Sequence, residues 1–271
     1  MYRLAAIDLD GTLLTPDRKV STRSIEVLKA WQAHGFRVVL ATARPFYRIG
    51  KYLRMLDLAS EENYAIAFNG GLVMRADGVE VIYSQSFTGG EIAEAISYGN
   101  SIDAPIFIYL EGKILSNQDD PLYREKNPDV DFQVAEDLNG VDWSSHPAYK
   151  IAYVGTPDVV KEMRKALPLA LEEKYEVSSS VPQFVDFVPL GTSKAKALEM
   201  VGAQLNIPAS EMVAFGDEDN DAPLLEFAGL GVAMGNASDE VKEIADIVCE
   251  SNANDGVARV LEKLLDHDSI R

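Results

Sequence analysis

The chain has 271 residues, and its 25 basic and 43 acidic side chains give a formal net charge of −18. A composition of 47% hydrophobic and 25% charged residues is typical of a globular protein and excludes a mainly disordered or fibrous chain. The strong negative charge argues against a nucleic-acid-binding protein, because such a surface repels phosphates. We interpret most of this charge as surface charge that favours solubility.

The sequence also argues against a membrane or secreted protein. The longest stretches without a charged residue, Asn63–Met74 and Phe227–Ser238, have 12 residues each and are too short to cross a bilayer. Asp8 and Asp10 interrupt the apolar region that a signal peptide would need. The single Cys249 cannot form a disulfide within the chain. We therefore expect a cytoplasmic protein with no membrane partner.

Residues 1–82 alternate between apolar runs and helical patterns. The runs Leu4–Ile7, Arg37–Ala41 and Tyr64–Phe68 predict strands. The segments Ser21–His34 and Pro45–Leu56 predict helices. This alternation predicts an α/β fold with a Rossmann-like parallel sheet that is covered by helices on both faces.

The same alternation returns from residue 190 onward and predicts a continuation of the same sheet. The predicted helices are Ser193–Leu205, Asp219–Phe227, Asp239–Ala245 and a closing helix to Leu265, and the predicted strands are Met212–Phe215, Leu230–Ala233 and Ile247–Val248.

Residues 83–189 break the alternation and are too many for a loop in a compact domain. The predicted elements around and within this segment are a hairpin at Leu72–Arg75 and Val79–Tyr83, helices at Gly90–Ser101 and Asp158–Leu171, a polar stretch at Ser116–Asp131, and strands at Ile106–Leu110, Lys113–Leu115, Lys150–Val154, Tyr175–Ser179 and Phe184–Val188. We predict a core domain of residues 1–82 and 190–271, interrupted by an inserted α/β domain at residues 83–189.

The segment Asp8–Thr12, with the sequence DLDGT, directly follows the first predicted strand. Ligands of open α/β sheets bind just beyond the carboxyl ends of the strands, so its two carboxylates are candidate catalytic groups. The alternative is a turn that Asp10 caps and Gly11 bends.

Three other segments also follow predicted strands or open predicted helices. At Thr42–Arg44, a hydroxyl, free backbone N–H groups and a helix dipole favour a phosphate, although Thr42 alone would be a plain helix cap. Lys194 opposes the dipole of the helix it opens, so its position needs another reason. In the segment Gly216–Asp221, several carboxylates lie close together and repel one another unless a cation neutralises them. The alternative, a helix cap, explains only one of these acids.

Together these residues predict phosphoryl transfer. Asp8 can attack phosphorus to form an acyl-phosphate, and Asp10 can protonate the leaving oxygen and later deprotonate water. Repulsion between a carboxylate and a phosphate dianion calls for a hard cation such as Mg²⁺. Thr42, Lys194 and Asn220 can hold the remaining phosphate oxygens.

The chain resembles the haloacid dehalogenase superfamily of phosphatases, of the Cof type with a large α/β cap inserted after the third strand. The resemblance covers essentially the whole chain and is carried by Asp8–Leu14, Thr42–Arg44, Asn69-Gly70, Gly191–Lys194, Gly216–Asp221 and Met234–Ala237. It implies Asp8 as nucleophile and Asp10 as acid/base. It also implies the following contacts: Mg²⁺ on the Asp8 carboxylate, the Asp10 backbone carbonyl and Asp217, with Asp221 in support, and phosphate on the Leu9 amide, Thr42, Ala43, Lys194 and Asn220. In this family, glycine is more usual at the positions of Ala43 and Ala195.

The predicted substrate is a small phosphorylated metabolite, with sugar phosphates as the leading class. Arg44 is a candidate substrate contact because its guanidinium suits phosphate or carboxylate. The inserted domain is expected to close over the site and select the leaving group, with candidate contacts at Gln183, Phe184 and Asp186. For Phe184, core packing is the expected role. The alternatives are a phosphosugar mutase of the same superfamily and a non-catalytic ligand-binding protein on the same scaffold.

Overall fold

The computed structural model describes residues 1–127, 130–135 and 137–268 and divides into two compact units. One unit contains Met1–Ser84 together with the chain from Ser193 onward, and the other contains Gln85–Thr192. The chain of the first unit is thus interrupted in sequence by the second. We refer to them as the core unit and the inserted unit.

The first part of the core unit begins with a strand and ends with a hairpin. Its elements are β1 (Leu4–Ile7), α1 (Thr22–Ala33), β2 (Arg37–Ala41), α2 (Gly50–Met55), β3 (Tyr64–Ala67), β4 (Leu72–Arg75) and β5 (Val81–Ser84). The prediction of one helix over Pro45–Leu56 is wrong in its first half, where Phe46–Arg48 forms a separate 3-10 turn. Gly50 lies just beyond the junction, where its low helix propensity favours a break.

The inserted unit mixes short helices with mostly antiparallel strands. Its elements are α3 (Gly89–Ser101), β6 (Ile106–Leu110), β7 (Ile114–Ser116), α4 (Pro121–Lys126), β8 (Gln133–Val134), β9 (Ala148–Val154), α5 (Pro157–Lys165), α6 (Leu169–Glu172), β10 (Tyr175–Ser178) and β11 (Phe184–Pro189). The single helix predicted over Asp158–Leu171 is divided in two, because Pro168 cannot continue the first helix. The polar stretch Ser116–Asp131 contains α4, which Asp120 caps at its N-terminus.

The chain then returns to the core unit and resumes the alternation of helix and strand. The returning elements are α7 (Lys194–Leu205), β12 (Met212–Gly216), α8 (Ala222–Phe227), β13 (Leu230–Ala233), α9 (Asp239–Ile244), β14 (Ile247–Val248) and α10 (Gly256–Asp268).

The sheet of the core unit has the strand order β14-β13-β12-β1-β2-β3-β4-β5. The strands from β14 to β3 are parallel, and β4 and β5 are antiparallel additions at one edge. Ile7 pairs with both Phe215 and Leu40, so β1, β12 and β2 end side by side. The predicted α/β fold with a parallel-sheet core is therefore confirmed.

Each unit has its own hydrophobic core. In the core unit, β1 is completely buried, and Trp31 of α1 is among the largest buried side chains. The inserted unit has a second sheet, in the order β10-β11-β9-β6-β7-β8, and a second cluster that includes Ile151, Tyr153 and Phe187. No helix in the described part of the chain has the length and apolarity that a membrane span requires.

Candidate active site

The loop after β1 contacts the loop after β12 at the carboxyl end of the sheet. Thr12 Oγ1 donates a 2.7 Å hydrogen bond to Asp217 Oδ1. Gly11 has a φ of +83°, and a Cβ at this position would lie 1.9 Å from Asp217 Oδ2. Glycine is therefore required both for the backbone conformation and for the space that the Asp217 carboxylate occupies.

Lys194 joins the two loops through its ammonium group. Ser193 caps α7, because its Oγ accepts a hydrogen bond from the backbone N–H of Lys196. The first residue of the helix, Lys194, extends its Nζ to within 2.6 Å of Asp8 Oδ1 and of Asp221 Oδ1. The side chain of Lys194 is fully buried, which explains why a lysine opens this helix against its dipole.

Three carboxylates converge around this lysine. Oxygen atoms of Asp8, Asp217 and Asp221 all lie within 4.8 Å of one another, and the three residues are buried. The second oxygen of Asp221 accepts hydrogen bonds from the backbone N–H groups of Asp217, at 3.1 Å, and Glu218, at 3.3 Å. The predicted acidic cluster after β12 thus meets Asp8 in space.

When all three carboxyl groups of this cluster are ionised, their negative charge exceeds the single positive charge of Lys194. Burial raises the pKa of Asp8 to about 7, with Asp221 adding to the rise and Lys194 opposing it. Burial and the charges of Asp8 and Asp221 raise the pKa of Asp217 to about 9. Burial lowers the pKa of Lys194, but the two carboxylates outweigh that effect and keep it above its ordinary value. Three buried carboxylates around one ammonium group fit a hard divalent cation with oxygen ligands.

Asp10 lies at the same strand end, but its side chain binds a different partner. Arg44 binds it through two hydrogen bonds, from Nε to Oδ2 and from the terminal nitrogen to Oδ1, each 2.5 Å long. Burial alone would raise the pKa of Asp10, but the hydrogen bonds and charge of Arg44 lower it. Arg44 also contacts the Tyr52 hydroxyl at 3.3 Å. The guanidinium predicted to contact substrate therefore holds the predicted acid/base.

The remaining predicted phosphate-binding residues surround the same strand ends. Thr42 follows β2 and is buried, with its Oγ1 accepting the backbone N–H of Arg44 at 3.2 Å. Ala43 is partly exposed, whereas the Leu9 side chain is completely buried. Asn220, after β12, donates from Nδ2 to Asn69 Oδ1 at 2.8 Å.

Two residues at the site, Thr12 and Asn69, are not among the predicted catalytic, phosphate-binding or metal-binding residues. Thr12 belongs to the segment DLDGT, and Asn69 belongs to the pair Asn69-Gly70 that supports the family resemblance. The signal for Thr12 is its place beside two candidate carboxylates, and the signal for Asn69 is its place directly after the predicted strand Tyr64–Phe68. Neither signal identifies the partner, because Thr12 bonds to a residue 205 positions away and Asn69 to one 151 positions away.

The candidate contacts in the inserted unit differ in their exposure. Asp186 is 1% exposed and forms a 2.7 Å ion pair with the buried Lys150 inside the unit, between β11 and β9. Phe184 is also buried, and Lys150 lies over its ring. The prediction that Asp186 contacts a ligand is therefore wrong, because its side chain is paired in the interior, whereas the burial of Phe184 agrees with the expected core packing. Gln183 is half-buried.

Comparison with known proteins identifies the family. The model of the haloacid dehalogenase-like hydrolases matches residues 5–261. A Bacillus subtilis protein named "Putative phosphatase YxeH" is 30% identical over 267 residues, which are 98% of this chain and 99% of the relative. The B. subtilis 5-amino-6-(5-phospho-D-ribitylamino)uracil phosphatase YitU is 28% identical, with 96% of each chain covered. A crystal structure of a haloacid dehalogenase-like hydrolase from Bacteroides thetaiotaomicron superposes with a TM-score of 0.84 at 29% identity, covering 97% of this chain and 100% of the other. The chain therefore belongs to the haloacid dehalogenase-like hydrolases, and it is a phosphatase of that family.

Proposed function

We propose that this phosphatase depends on Mg²⁺ and hydrolyses small phosphorylated metabolites, most readily sugar phosphates, through an aspartyl-phosphate on Asp8. The observation that supports this most directly is the placement of Lys194 between Asp8 and Asp221, with Asp217 adjoining them. A buried nucleophile, one cation and two further carboxylates form a site that accepts both a metal ion and a phosphate.

The residues that would hold Mg²⁺ are Asp8 and Asp217 through their carboxylates, Asp10 through its backbone carbonyl, and Asp221 in support. When bound there, the ion would withdraw charge from the phosphoryl group and reduce its repulsion of the Asp8 carboxylate. Burial, together with the charges of neighbouring carboxylates, raises the pKa values of Asp8 and Asp217, so their ionised forms are disfavoured unless a cation neutralises them.

In the first half-reaction, a carboxylate oxygen of Asp8 bonds to phosphorus while the bond from phosphorus to the alcohol oxygen breaks. Asp10 gives that departing oxygen a proton. In the second, a water oxygen bonds to phosphorus, its proton passes to Asp10, and the bond between phosphorus and Asp8 breaks. The products are an alcohol, inorganic phosphate and the starting enzyme. We propose that the phosphoryl oxygens are held by the Leu9 amide, Thr42, Ala43, Lys194 and Asn220.

Asp10 needs a different pKa in each half-reaction, and its contact with Arg44 can account for the difference. A lowered pKa keeps the Asp10 carboxylate deprotonated, as the base that accepts a proton from water requires. As the acid, Asp10 needs a higher pKa, which it gains when Arg44 transfers its hydrogen bonds to the substrate. We therefore keep Arg44 as a substrate contact, with the anionic substrate replacing Asp10 as its partner.

The proposed substrate class is supported by the relatives and by charge. The name of the relative YitU specifies a phosphate on a ribityl chain, and such a phosphorylated polyol is close in chemistry to a sugar phosphate. Residues 1–82 carry 11 basic and 9 acidic side chains, whereas the remaining residues are strongly acidic, so an anionic substrate is favoured at the slightly basic part. We propose a cytoplasmic enzyme whose inserted domain, predicted at residues 83–189, acts as a cap that selects the leaving group.

The first test is hydrolysis of an aryl phosphate with and without Mg²⁺. We expect activity that needs the metal and that Asp8→Asn abolishes, because an amide is a far weaker nucleophile than a carboxylate. Asp57→Asn is the matched control, since Asp57 is an exposed aspartate that pairs with Lys29 outside the site. Full activity in Asp8→Asn would contradict the mechanism.

Product analysis separates the phosphatase from the mutase. A phosphatase releases inorganic phosphate from a sugar phosphate, whereas a mutase returns an isomerised phosphosugar without that release. A screen across sugar phosphates, nucleotides and pyridoxal phosphate then defines the substrate. Isomerisation without phosphate release would exclude the proposed hydrolysis.

A further inference from the structure

Asn69 is held firmly in the loop after β3. Its side chain is 3% exposed, and its backbone adopts the left-handed conformation, with a φ of +57°. The backbone N–H donates to the Thr42 carbonyl at 3.1 Å, and the side-chain oxygen accepts from Asn220 Nδ2 at 2.8 Å. Asn69 therefore links the strand end that carries Thr42 to the strand end that carries Asn220.

The same loop also reaches the start of α7. A Cβ at Gly70 would lie 2.2 Å from the Ser193 carbonyl oxygen and 3.2 Å from the Lys194 backbone nitrogen. Asn69 is thus surrounded by three segments that the proposed mechanism uses for the phosphoryl group, although it belongs to none of them.

One group of Asn69 is left without a partner. The side-chain nitrogen Nδ2 is buried and finds no hydrogen bond among the described residues. An asparagine amide can donate two hydrogen bonds, and a buried donor without an acceptor is unfavourable. Since the oxygen of this amide is already fixed by Asn220, the nitrogen is the group that remains for an acceptor brought by a ligand.

We infer that Asn69 is a further phosphoryl-binding residue, whose Nδ2 donates a hydrogen bond to an oxygen of the phosphoryl group. This inference rests on the proposed function, because it uses the phosphate position defined by Thr42, Lys194 and Asn220. The competing role is purely structural: Asn69 would only orient Asn220 through its oxygen. The two roles use different atoms of one amide and can be separated by substitution.

The first experiment compares Asn69→Asp with Asn206→Asp. Aspartate tolerates a positive φ and keeps the oxygen that anchors Asn220, but it replaces the donor by a negative charge. We expect Asn69→Asp to weaken competitive inhibition by inorganic phosphate, and to raise KM for the aryl phosphate, by at least about tenfold. Asn206 also has a positive φ but lies exposed at the end of α7, so Asn206→Asp is expected to leave both constants unchanged.

The second experiment tests whether Asn69 acts only through Asn220. Glycine adopts the left-handed conformation without strain, so Asn69→Gly removes the amide and preserves the backbone. In an Asn220→Ala background the anchoring role is already lost. We expect Asn69→Gly to reduce kcat/KM by a further factor of about ten in that background, because the direct hydrogen bond is lost as well.

Thermal unfolding checks that each variant is folded before the constants are compared. Asn69→Asp with wild-type phosphate inhibition, or Asn69→Gly without further effect in the Asn220→Ala background, would overturn the inference. Failure of the proposed function would give a different result: the wild type would release no phosphate, or the Asp8→Asn variant would remain active.

Discussion

At the residue scale, Gly11 is constrained in two separate ways. Its positive φ and the 1.9 Å that would separate an added Cβ from Asp217 Oδ2 are two separate reasons for glycine. Any other residue is strained at this positive φ and lowers the stability of the fold. Its Cβ would also displace the Asp217 carboxylate, which we assign to the metal site. Gly35 has nearly the same φ, +80°, but an added Cβ meets nothing within 4 Å there.

This pair gives a matched prediction. Gly35→Ala is expected to lose about 1 kcal/mol of the free energy of unfolding, because alanine is strained at positive φ, and Gly11→Ala is expected to lose at least as much, because its Cβ also meets the Asp217 carboxylate. Only Gly11→Ala is expected to lose most of its activity and to need a higher Mg²⁺ concentration. Activity assays across a Mg²⁺ titration measure the difference. Equal activity of the two variants would show that Asp217 does not need this space.

Residue types at the site could be predicted from the sequence, but their partners could not. Asp8, Lys194 and Asp217 stand out because each lies at a strand end or helix start where its charge is unexpected. The bond between Asp10 and Arg44 was not predicted, because a strand end presents several polar groups and their pairing depends on side-chain geometry. Asp186 was misassigned for the same reason, since its partner Lys150 lies on another strand.

At the scale of elements, the helix α7 positions Lys194, and its cap is the part that can be tested. Ser193→Ala removes the hydrogen bond to the Lys196 N–H and is expected to lower the free energy of unfolding by about 1 kcal/mol. Ser21→Ala is the control, because Ser21 caps α1 through the Ser24 N–H at 3.0 Å and does not adjoin the site.

The two cap variants should differ in activity. Ser193→Ala loosens the turn that carries Lys194, so we expect kcat/KM to fall several-fold, whereas Ser21→Ala keeps the wild-type value. Kinetics at a temperature where both variants are folded give the comparison. A wild-type kcat/KM in Ser193→Ala would mean that the two ion pairs of Lys194 hold it in place without the cap.

Elements with strong local signals were predicted well. The strands Leu4–Ile7, Arg37–Ala41, Ile106–Leu110 and Leu230–Ala233 have the predicted bounds. The helices that divide, at Gly50 and at Pro168, were predicted as single because their apolar spacing continues across the break. The spacing of apolar residues indicates which face of a helix is buried, but it does not indicate where the helix breaks.

At the scale of the whole molecule, the buried carboxylates link stability to pH and to metal. Asp8 and Asp217 have an unfolded pKa near 3.8 and folded values of about 7 and about 9. The folded protein therefore holds more protons than the unfolded one between these values. Without a metal ion, the contribution of these two groups to stability is expected to be fully present below their unfolded pKa and to be lost as pH rises through the two folded values.

Added Mg²⁺ should reverse that loss. We expect Mg²⁺ to raise Tm more at about pH 8 than at about pH 6, because it favours the ionised carboxylates. Asp217→Asn removes the most strongly shifted carboxyl group, and its Tm without metal should depend less on pH than that of the wild type. Thermal unfolding across pH measures both effects. A Tm that rises from about pH 6 to about pH 8 in metal-free wild type would contradict the assigned burial.

In the proposed mechanism, Asp8 carries the phosphoryl group during turnover. The most direct measurement is acid quenching of the enzyme during hydrolysis of an aryl phosphate with Mg²⁺, followed by mass spectrometry of the peptide that contains Asp8. We predict one added phosphoryl group on Asp8 in the wild type and none in Asp8→Asn. Phosphate release without any phosphoryl group on Asp8, or an equal amount of phosphorylated peptide in Asp8→Asn, would contradict the role of Asp8 as nucleophile.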